Sequence, residues 1–435
     1  MSMKKYFLIS LILLFSSQSY AAPNFGPVDM GSFYTSLPDI NPSDQLGKLI
    51  KVEKVATLLK QAQAWKIAYV SSDTLGNKTL VTGIIVAPQG NTINRPIVAW
   101  AHGTTGTAQT CGPSQVLNPA QPLNQYFLMN GNSWTDFGIP AVESFIKAGY
   151  VVVATDYQGL GGGGKHQYTV SVSQAHDVIN SIRAVTQLKE AAAGSRAIVY
   201  GWSQGGGATI TTAGLTDYLH ASDSVSNKIE LVGFVAMAPY DIAVTFPDNI
   251  KTNEDATAYL QKLSDSFGAN VFNFTHYAQN LWGMVAAFPD LSLNDVLTAE
   301  GVKVVNDVMA RKCMHVAADT INFSYGNSYK TLLKNNITHA LTWVNDYKKS
   351  SVPSVKPMAP VIIYWGTNDT TVPPIMGKLY YEQMCKLGGN MTRVQLPGNQ
   401  SHFTTPGSAE PLYIKWIADR FAGIAPSNGC KQPVG

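Results

Sequence analysis

The sequence predicts an α/β fold with a mainly parallel central sheet, helices on both faces of that sheet, and a large, mostly helical insertion. Short continuous apolar runs, such as residues 97–100 and 151–154, alternate with amphipathic helical stretches, which is typical of parallel strands buried on both faces. The alternation stops over residues 241–358, where helices and loops are predicted, and resumes with a strand at 361–364. The 435 residues are many for a single domain, and an insertion before the penultimate strand explains this length.

The predicted elements follow one another in chain order. Two runs rich in β-branched and aromatic residues, 65–71 and 79–86, are expected to form a hairpin that turns near Gly76. The later strands are expected at 97–100, 151–154, 197–200, 231–237, 361–364 and 391–396. The helices outside the insertion are expected at 141–147, 175–188, 206–219, 378–386 and 412–421. The stretch before residue 65 is expected to be irregular.

Composition excludes several classes of protein. The charged fraction is 14% and the hydrophobic fraction is 45%, so neither a disordered chain nor a coiled coil is expected. Lys and Arg number 31 against 28 Asp and Glu, which is too even a balance to indicate nucleic-acid binding.

The first residues have the order of a secretory signal peptide. Lys4 and Lys5 precede an apolar run over 6–15 and small residues up to Ala21, after which we expect cleavage. The apolar run has about half of the roughly 20 residues that span a bilayer, and no later segment is long and apolar enough to cross one. We therefore expect a secreted or periplasmic protein, and the lysine-led signal fits a bacterium.

These features divide the chain into four predicted parts. They are a signal peptide (1–21), the first part of the α/β core (22–240), a cap or lid insertion (241–358) and the second part of the core (359–435).

Export predicts disulfides, because an oxidising compartment favours them over free thiols. The four cysteines are Cys111, Cys313, Cys385 and Cys430, and they allow three pairings. We favour Cys385–Cys430, which would tie the C-terminus to the last α/β unit, together with Cys111–Cys313. The alternative is free buried thiols. None of the four has the spacing of a zinc or redox motif.

The strongest chemical signal is the run Gly201-Trp202-Ser203-Gln204-Gly205-Gly206. It matches G-x-S-x-G between a predicted strand and a predicted helix, which is the context of a nucleophile elbow. Only small residues fit beside the serine in such a tight turn, and the serine is exposed at the top of the sheet. Ser203 is therefore the predicted nucleophile.

A nucleophilic serine needs a base, and the base needs an acid that orients it. Asp369 follows the predicted strand 361–364, and His402 follows the strand 391–396, so both would lie at the same edge of the sheet as Ser203. The order Ser, Asp, His also matches this class of site. Read singly, Asp369 could be a turn residue and His402 a loop histidine. Asp241, which follows the strand before the insertion, is a rival for the acid.

The oxyanion donors are predicted to be the backbone amides of Gln204 and Thr104, with Thr105 as the neighbour that could replace Thr104. His102 and Asp156, each at the end of a strand, are interpreted as braces of loops. The other histidines are interpreted as ordinary, because none is paired at metal-ligand spacing: His166, His176, His220, His276, His315 and His339. We expect neither a metal nor a cofactor.

Taken together, these motifs resemble the secretory lipase family, the α/β-hydrolase group typified by fungal lipase A. The resemblance rests on the elbow and on three further runs: His102-Gly103-Thr104-Thr105-Gly106, Asp156-Tyr157-Gln158-Gly159-Leu160-Gly161 and Cys111-Gly112-Pro113-Ser114. It covers roughly residues 83–421, with Gly112 where family members tend to have alanine, and the cap is its least comparable part. It implies a carboxylic-ester hydrolase with a helical cap and the triad Ser203, Asp369 and His402.

The predicted function is a secreted serine lipase or esterase that forms an acyl-enzyme from an uncharged ester, small or lipid-like. Aromatic and methionine residues of the cap would line an apolar acyl pocket, or else form only the cap's own core. We expect transient contact of the cap with a lipid interface, no nucleic-acid partner and no transmembrane segment. The alternatives are a serine peptidase or an acyltransferase with the same triad, and a non-catalytic binding protein that keeps the fold.

Overall fold

The computed structural model describes residues 30–129, 131 and 134–431. The predicted signal peptide, with its cleavage after Ala21, lies outside the described residues. Within them, nine strands form one sheet: β1 (Leu49–Val55), β2 (Ala62–Ser72), β3 (Lys78–Pro88), β4 (Arg95–Ala101), β5 (Val151–Thr155), β6 (Ala193–Trp202), β7 (Glu230–Met237), β8 (Val361–Trp365) and β9 (Met391–Gln395).

The helices lie between and around these strands. In the described part of the chain they are α1 (Ser32–Thr35), α2 (Val142–Lys147), α3 (Ser171–Val185), α4 (Gln204–Thr212), α5 (Thr216–Leu219), α6 (Asn253–Phe267), α7 (Val271–Ala287), α8 (Ala299–Met309), α9 (Met314–Tyr325), α10 (Ala340–Ser350), α11 (Ile375–Lys386) and α12 (Thr405–Phe421).

The sheet has the strand order β1-β2-β3-β5-β4-β6-β7-β8-β9. The pairs β1–β2, β2–β3 and β3–β5 are antiparallel, and every later pair from β5 to β9 is parallel. Alternate strand residues face opposite layers. Val199 packs in the same cluster as Ile182 of α3, whereas Tyr200 packs in the same cluster as Tyr413 of α12. The predicted mainly parallel sheet with helices on both faces is confirmed.

The register of the parallel strands brings three loops to one edge of the sheet. Trp202, the last residue of β6, pairs with Met237, which pairs with Tyr364 of β8, and Tyr364 pairs with Val394 of β9. The chain therefore leaves β6, β8 and β9 at nearly the same level. Any polar residues in the loops that follow these strands are brought close together.

Four elements differ from the sequence-based prediction. The stretch expected to be irregular contains the short helix α1 and the edge strand β1, which carries Lys51, Glu53 and Lys54 and pairs with β2. The helix expected over 206–219 is broken near Gly214 into α4 and α5, because glycine disfavours a helix interior. The last helix begins at Thr405 rather than near Leu412 and contains Pro411 in its interior.

The segment between β7 and β8 folds largely upon itself. In this fully described stretch, α6 to α10 bury an apolar cluster of their own that includes Leu260, Phe274, Val305 and Trp343. α6 begins with a capping box, in which Thr252 and Asp255 satisfy each other's free amides. That this segment acts as a cap with the bounds 241–358 stays a prediction.

Two disulfides connect distant parts of the chain, with the pairing favoured from the sequence. Cys111–Cys313 joins the loop after β4 to the start of α9, and Cys385–Cys430 joins the end of α11 to the C-terminal segment. Among the described residues, no helix is both long and apolar enough to cross a membrane.

Candidate active site

The turn between β6 and α4 holds Ser203 in a conformation that few residues adopt. Its φ is 60° and its ψ is −120°, a strained combination that costs about 1–3 kcal/mol outside glycine. The Ser203 amide donates to the carbonyl of Met237 at 2.9 Å, and the Ser203 carbonyl accepts from Gly207 at 3.0 Å and from Tyr240 at 3.1 Å. These bonds hold the strained turn in place.

The glycines around Ser203 are required by close packing. A Cβ atom at Gly205 would overlap with the carbonyl of Ala101 in β4, and one at Gly201 would overlap with the carbonyl of Gly205. The neighbouring strand and the first helical turn therefore approach each other so closely that no side chain fits between them. This is the physical reason for the G-x-S-x-G pattern.

The predicted nucleophile, base and acid meet at this edge of the sheet. Ser203 Oγ lies 2.8 Å from His402 Nε2, and His402 Nδ1 lies 2.8 Å from Asp369 Oδ2. All three residues are buried. The indole Nε1 of Trp202 also donates to the carbonyl of His402 at 3.1 Å, which fixes the loop that carries the imidazole.

The carboxylate of Asp369 is held by its own loop. Its Oδ1 accepts from the amides of Thr371 at 3.0 Å and Val372 at 2.8 Å, which leaves Oδ2 for the imidazole. Because a carboxylate only accepts, the proton of His402 sits on Nδ1, and Nε2 presents a lone pair to the hydroxyl of Ser203.

The rival acid, Asp241, lies elsewhere. Its Oδ2 accepts from Ser351 Oγ at 2.6 Å and from the amide of Val352 at 2.9 Å, and its Oδ1 accepts from Ala243 at 3.0 Å. It therefore braces the chain where the segment 241–358 begins and ends. Burial raises its pKa.

The two predicted oxyanion donors flank Ser203. Gln204 is the first residue of α4, and Thr104 lies in the loop after β4 and lines the same crevice as Ser203 and His402. Neither backbone amide donates a hydrogen bond to any group in the part of the chain that the structure describes. The hydroxyl of Thr104 pairs with that of Tyr168 at 2.6 Å. Both amides are thus available to a developing negative charge.

His102 and Asp156 brace the loops at this edge, as interpreted from the sequence. His102 contacts the carbonyls of Gly103 and Asp156, and burial lowers its pKa to about 4. The carboxylate of Asp156 accepts from Ser114 and from Thr82, while burial raises its pKa to about 6. Neither side chain contacts Ser203.

Two small crevices open beside Ser203. The first, of about 20 Å³, is lined by Tyr168, Gln204, Tyr240, Phe267, Asn273, His276, Thr371 and Val372. The second, of about 10 Å³, is lined by Thr104, Asp136, Trp202, Phe272, His276, Met314, His315, His402 and Phe403. Each has room for about one water molecule.

Three phenylalanines, Phe127, Phe272 and Phe403, form a cluster at the second crevice that we call the aromatic roof; Phe272 and Phe403 line the crevice, and Phe127 packs against both. The ring of Phe127 lies 5.0 Å from those of both Phe272 and Phe403, and Phe403 lies 5.4 Å from the ring of His402. Of the aromatic residues expected to line an acyl pocket, Phe267 and Phe272 line the crevices. Tyr277, Trp282, Met284 and Phe288 instead belong to the core of the helical segment.

His276 and His315 are the site residues that the sequence analysis missed. Interpreted as ordinary, they reach the crevices from α7 and α9, and His276 borders both. Burial lowers the pKa of His276 to about 3, and the nearby His402 and His315 add to this effect. No local pattern marks either residue, because each meets Ser203 only through tertiary packing.

The next question is whether this edge of the sheet could hold a metal ion. Within the described residues, no group of three or more His, Cys, Asp and Glu side chains is arranged to hold a metal ion. Ser203, His402 and Asp369 have the geometry expected of a serine-hydrolase site on an α/β-hydrolase sheet.

Comparison with known proteins defines the family. Residues 132–429 match the secretory lipase family, and the chain belongs to that family. It is 25% identical over 392 residues to Lipase 9 of Candida albicans, a match that covers 86% of this chain and 77% of the relative. It is 23% identical over 380 residues to a secreted triacylglycerol lipase of Malassezia globosa, covering 85% of this chain and 74% of that one. The protein is a carboxylic ester hydrolase of the lipase and esterase class.

Solved structures share the fold. Lipase A of Candida antarctica superposes with a TM-score of 0.66 at 16% identity, over 95% of this chain and 89% of the other. The rice cell wall degrading esterase LipA of Xanthomonas oryzae superposes with a TM-score of 0.63 at 16% identity, over 87% of this chain and 100% of the other. At this level of identity the likeness concerns the fold alone.

Proposed function

We propose that this chain hydrolyses uncharged carboxylic esters through an acyl-enzyme on Ser203, with His402 as the base and Asp369 as the orienting acid. The observation that carries this proposal is the continuous pair of 2.8 Å contacts from Ser203 Oγ through the imidazole to Asp369. In such an arrangement the serine proton has an acceptor, and the imidazolium that forms has a counter-charge.

The first half-reaction follows from these positions. Nε2 of His402 takes the hydroxyl proton as Ser203 Oγ forms a bond to the ester carbonyl carbon. The carbonyl oxygen becomes an oxyanion, which the amides of Gln204 and Thr104 stabilise. The tetrahedral intermediate then breaks its bond to the alcohol oxygen, and the imidazolium of His402 returns the proton to that oxygen.

The second half-reaction repeats these steps with water. His402 removes a proton from water, the hydroxide adds to the acyl carbon, and the bond to Ser203 Oγ breaks as His402 protonates the serine. A carboxylic acid leaves. Each amide donor that is lost from such a site typically costs about 3–4 kcal/mol of transition-state stabilisation.

The crevices support an uncharged substrate. None of the described residues that line either crevice is Lys or Arg, so no cation is present to pair with an anionic substrate. The volumes of about 20 and 10 Å³ are too small for an acyl chain. We therefore propose that the aromatic roof and the helical segment 241–358, acting as a cap, move to admit the ester.

Lipid-interface contact through this cap belongs to the same proposal. Phe323 on α9 is 87% exposed, an apolar side chain that a lipid surface would cover. We also propose export with cleavage after Ala21, which N-terminal sequencing of the exported protein tests.

The decisive experiment is Ser203→Ala with a matched control, Ser401→Ala, in the loop beside His402. Ser203→Ala should abolish turnover of p-nitrophenyl butyrate, whereas Ser401→Ala should keep it. Stoichiometric labelling by a fluorophosphonate should disappear only in Ser203→Ala. If Ser203→Ala still hydrolysed the ester at the wild-type rate, the proposed nucleophile would be wrong.

A further inference from the structure

The second crevice carries polar groups that the proposed mechanism does not use. Nε2 of His315 lies 3.3 Å from Oδ1 of Asp136, and the residue is 3% exposed. Its other nitrogen, Nδ1, is buried and has no hydrogen-bond partner among the described residues. A buried polar atom without a partner costs about 1–3 kcal/mol, so a fold that keeps one at the edge of its active site needs an explanation.

His276 offers a second unused nitrogen at the same crevice. Its Nδ1 lies 3.0 Å from the carbonyl of Phe272, and because a carbonyl only accepts, the ring proton sits on Nδ1. This half-buried imidazole is neutral, because desolvation lowers its pKa to about 3. Nε2 therefore carries a lone pair and accepts hydrogen bonds.

The ring of Phe272 connects the two histidines. It lies 4.5 Å from the ring of His276 and 6.4 Å from the ring of His315, to which it is nearly parallel. Tyr126 stacks on the ring of His315 at 4.2 Å. The two imidazoles are thus held in fixed orientations by aromatic packing, as a preorganised subsite requires.

The chemistry of the triad decides which half of the ester enters this crevice. His402 Nε2 must reach the leaving alcohol oxygen to protonate it, so the alcohol lies on the side of Ser203 where His402 lies. His402 lines the second crevice and not the first. The second crevice therefore receives the alcohol, and the first, with Phe267 and Val372, receives the acyl group.

We propose that His276 and His315 form a hydroxyl-binding subsite for the alcohol half of the ester, so that the enzyme selects esters of polyhydroxy alcohols, such as a monoacylglycerol, over esters of simple alcohols. The Asp136 carboxylate only accepts, so the proton of His315 sits on Nε2 and the free Nδ1 is an acceptor. One hydroxyl therefore donates to the Nε2 of His276, and a second hydroxyl of the same alcohol donates to the Nδ1 of His315. A carboxylate lacks the proton that the acceptor on His276 requires. This inference rests on the proposed function of Ser203 and His402.

The test compares two soluble esters with the same acyl group, 2,3-dihydroxypropyl butyrate and propyl butyrate. The wild type should favour the dihydroxypropyl ester in kcat/KM by at least about tenfold, the size of effect that a lost pairing in a polar site gives. His276→Phe and His315→Phe should each reduce that ratio about tenfold. His176→Phe, a buried histidine on α3 away from the crevices, is the matched control and should leave the ratio unchanged.

A second measurement uses the wild-type protein, so it does not depend on how the variants fold. The ether 3-butoxypropane-1,2-diol should inhibit propyl butyrate hydrolysis at a concentration at least about tenfold lower than butyl propyl ether does. Equal inhibition by the two ethers, or an unchanged ester ratio in folded His276→Phe and His315→Phe, would overturn the hydroxyl subsite. Loss of both esterase activities in Ser203→Ala separates that outcome from a failure of the proposed function.

Discussion

Asp369→Asn tests the tautomer that the site imposes on His402. In the wild type, the carboxylate accepts from Nδ1 at 2.8 Å, so the Nε2 lone pair faces Ser203 Oγ at 2.8 Å. In the wild type, the amides of Thr371 and Val372 donate to Oδ1 of Asp369. Asparagine has the same shape as aspartate, so its side-chain oxygen can accept from the same two amides. These two donors fix the orientation of the new amide. Its NH₂ group must then face the imidazole.

The consequence is a proton in the wrong place. An NH₂ group donates, so Nδ1 of His402 becomes an acceptor and the ring proton moves to Nε2, which can no longer accept the proton of Ser203. The loss of a triad acid by this route lowers kcat by about 10⁴-fold, which corresponds to about 5.4 kcal/mol of activation free energy. The free energy of unfolding should change far less, by about 1 kcal/mol, because the two backbone bonds are kept.

Asp241→Asn is the matched control. Asp241 is 5% exposed and Asp369 is 6% exposed, so both substitutions neutralise an equally buried carboxylate. Asp241 bonds to Ser351, Val352 and Ala243 rather than to His402, so Asp241→Asn should keep kcat within about threefold of wild type. Hydrolysis of p-nitrophenyl butyrate at pH 8 and urea unfolding measure both variants. A kcat for Asp369→Asn above a tenth of the wild-type value, or an equal loss in Asp241→Asn, would refute the reasoning.

Two further predictions concern the disulfides and acid stability. Closing loops of 202 and 45 residues should stabilise the fold by about 5 and about 4 kcal/mol respectively, so paired serine substitutions at Cys111–Cys313 and at Cys385–Cys430 should both lower the urea midpoint. At urea concentrations below the midpoint, only loss of Cys111–Cys313 should also lower kcat, because Met314, beside Cys313, donates to the carbonyl of Thr105 in the loop of the proposed oxyanion donor Thr104. Equal kcat values for the two variants would contradict this. Burial lowers the pKa of His176 to about 4 in the folded state, against about 6.5 when unfolded, so stability is lost as pH falls from 6.5 towards 4. In that window, the free energy of unfolding of His176→Gln, measured in urea, should fall with decreasing pH by about 1 kcal/mol per pH unit less than that of the wild type. Equal slopes for the two proteins would exclude this contribution of His176.

The three residues that we propose to react were predicted to lie together because each has a local signature. Ser203 lies between a strand and a helix with glycines that the packing demands, while Asp369 and His402 each follow a strand of a parallel sheet. In such a sheet the loops after the strands share one edge, so the order of elements along the chain already places the three side chains together. Only the separation of Asp369 from its rival Asp241 required the structure.

The walls of the site were not predictable in the same way. His276 and His315 lie on helices of the insertion, and their position depends on how those helices pack against the sheet edge. Their neighbours in sequence look like those of any buried helix. β1 was missed for a related reason, since an edge strand with one partner and charged outward residues has no strong apolar pattern.

The site therefore divides into two parts with different physical origins. Ser203, Asp369, His402 and the amide of Thr104 all come from loops that follow strands of the sheet, and close backbone packing fixes their positions. The crevice walls come largely from α7 and α9. Changes in these helices can alter which ester fits without moving the reacting atoms, because the contacts of 2.8 Å between the triad residues involve no group from the insertion. The disulfide Cys111–Cys313 connects the two parts. It fixes the start of α9 to the loop that carries Thr104, so the positions of His315 and of this proposed oxyanion donor are set together.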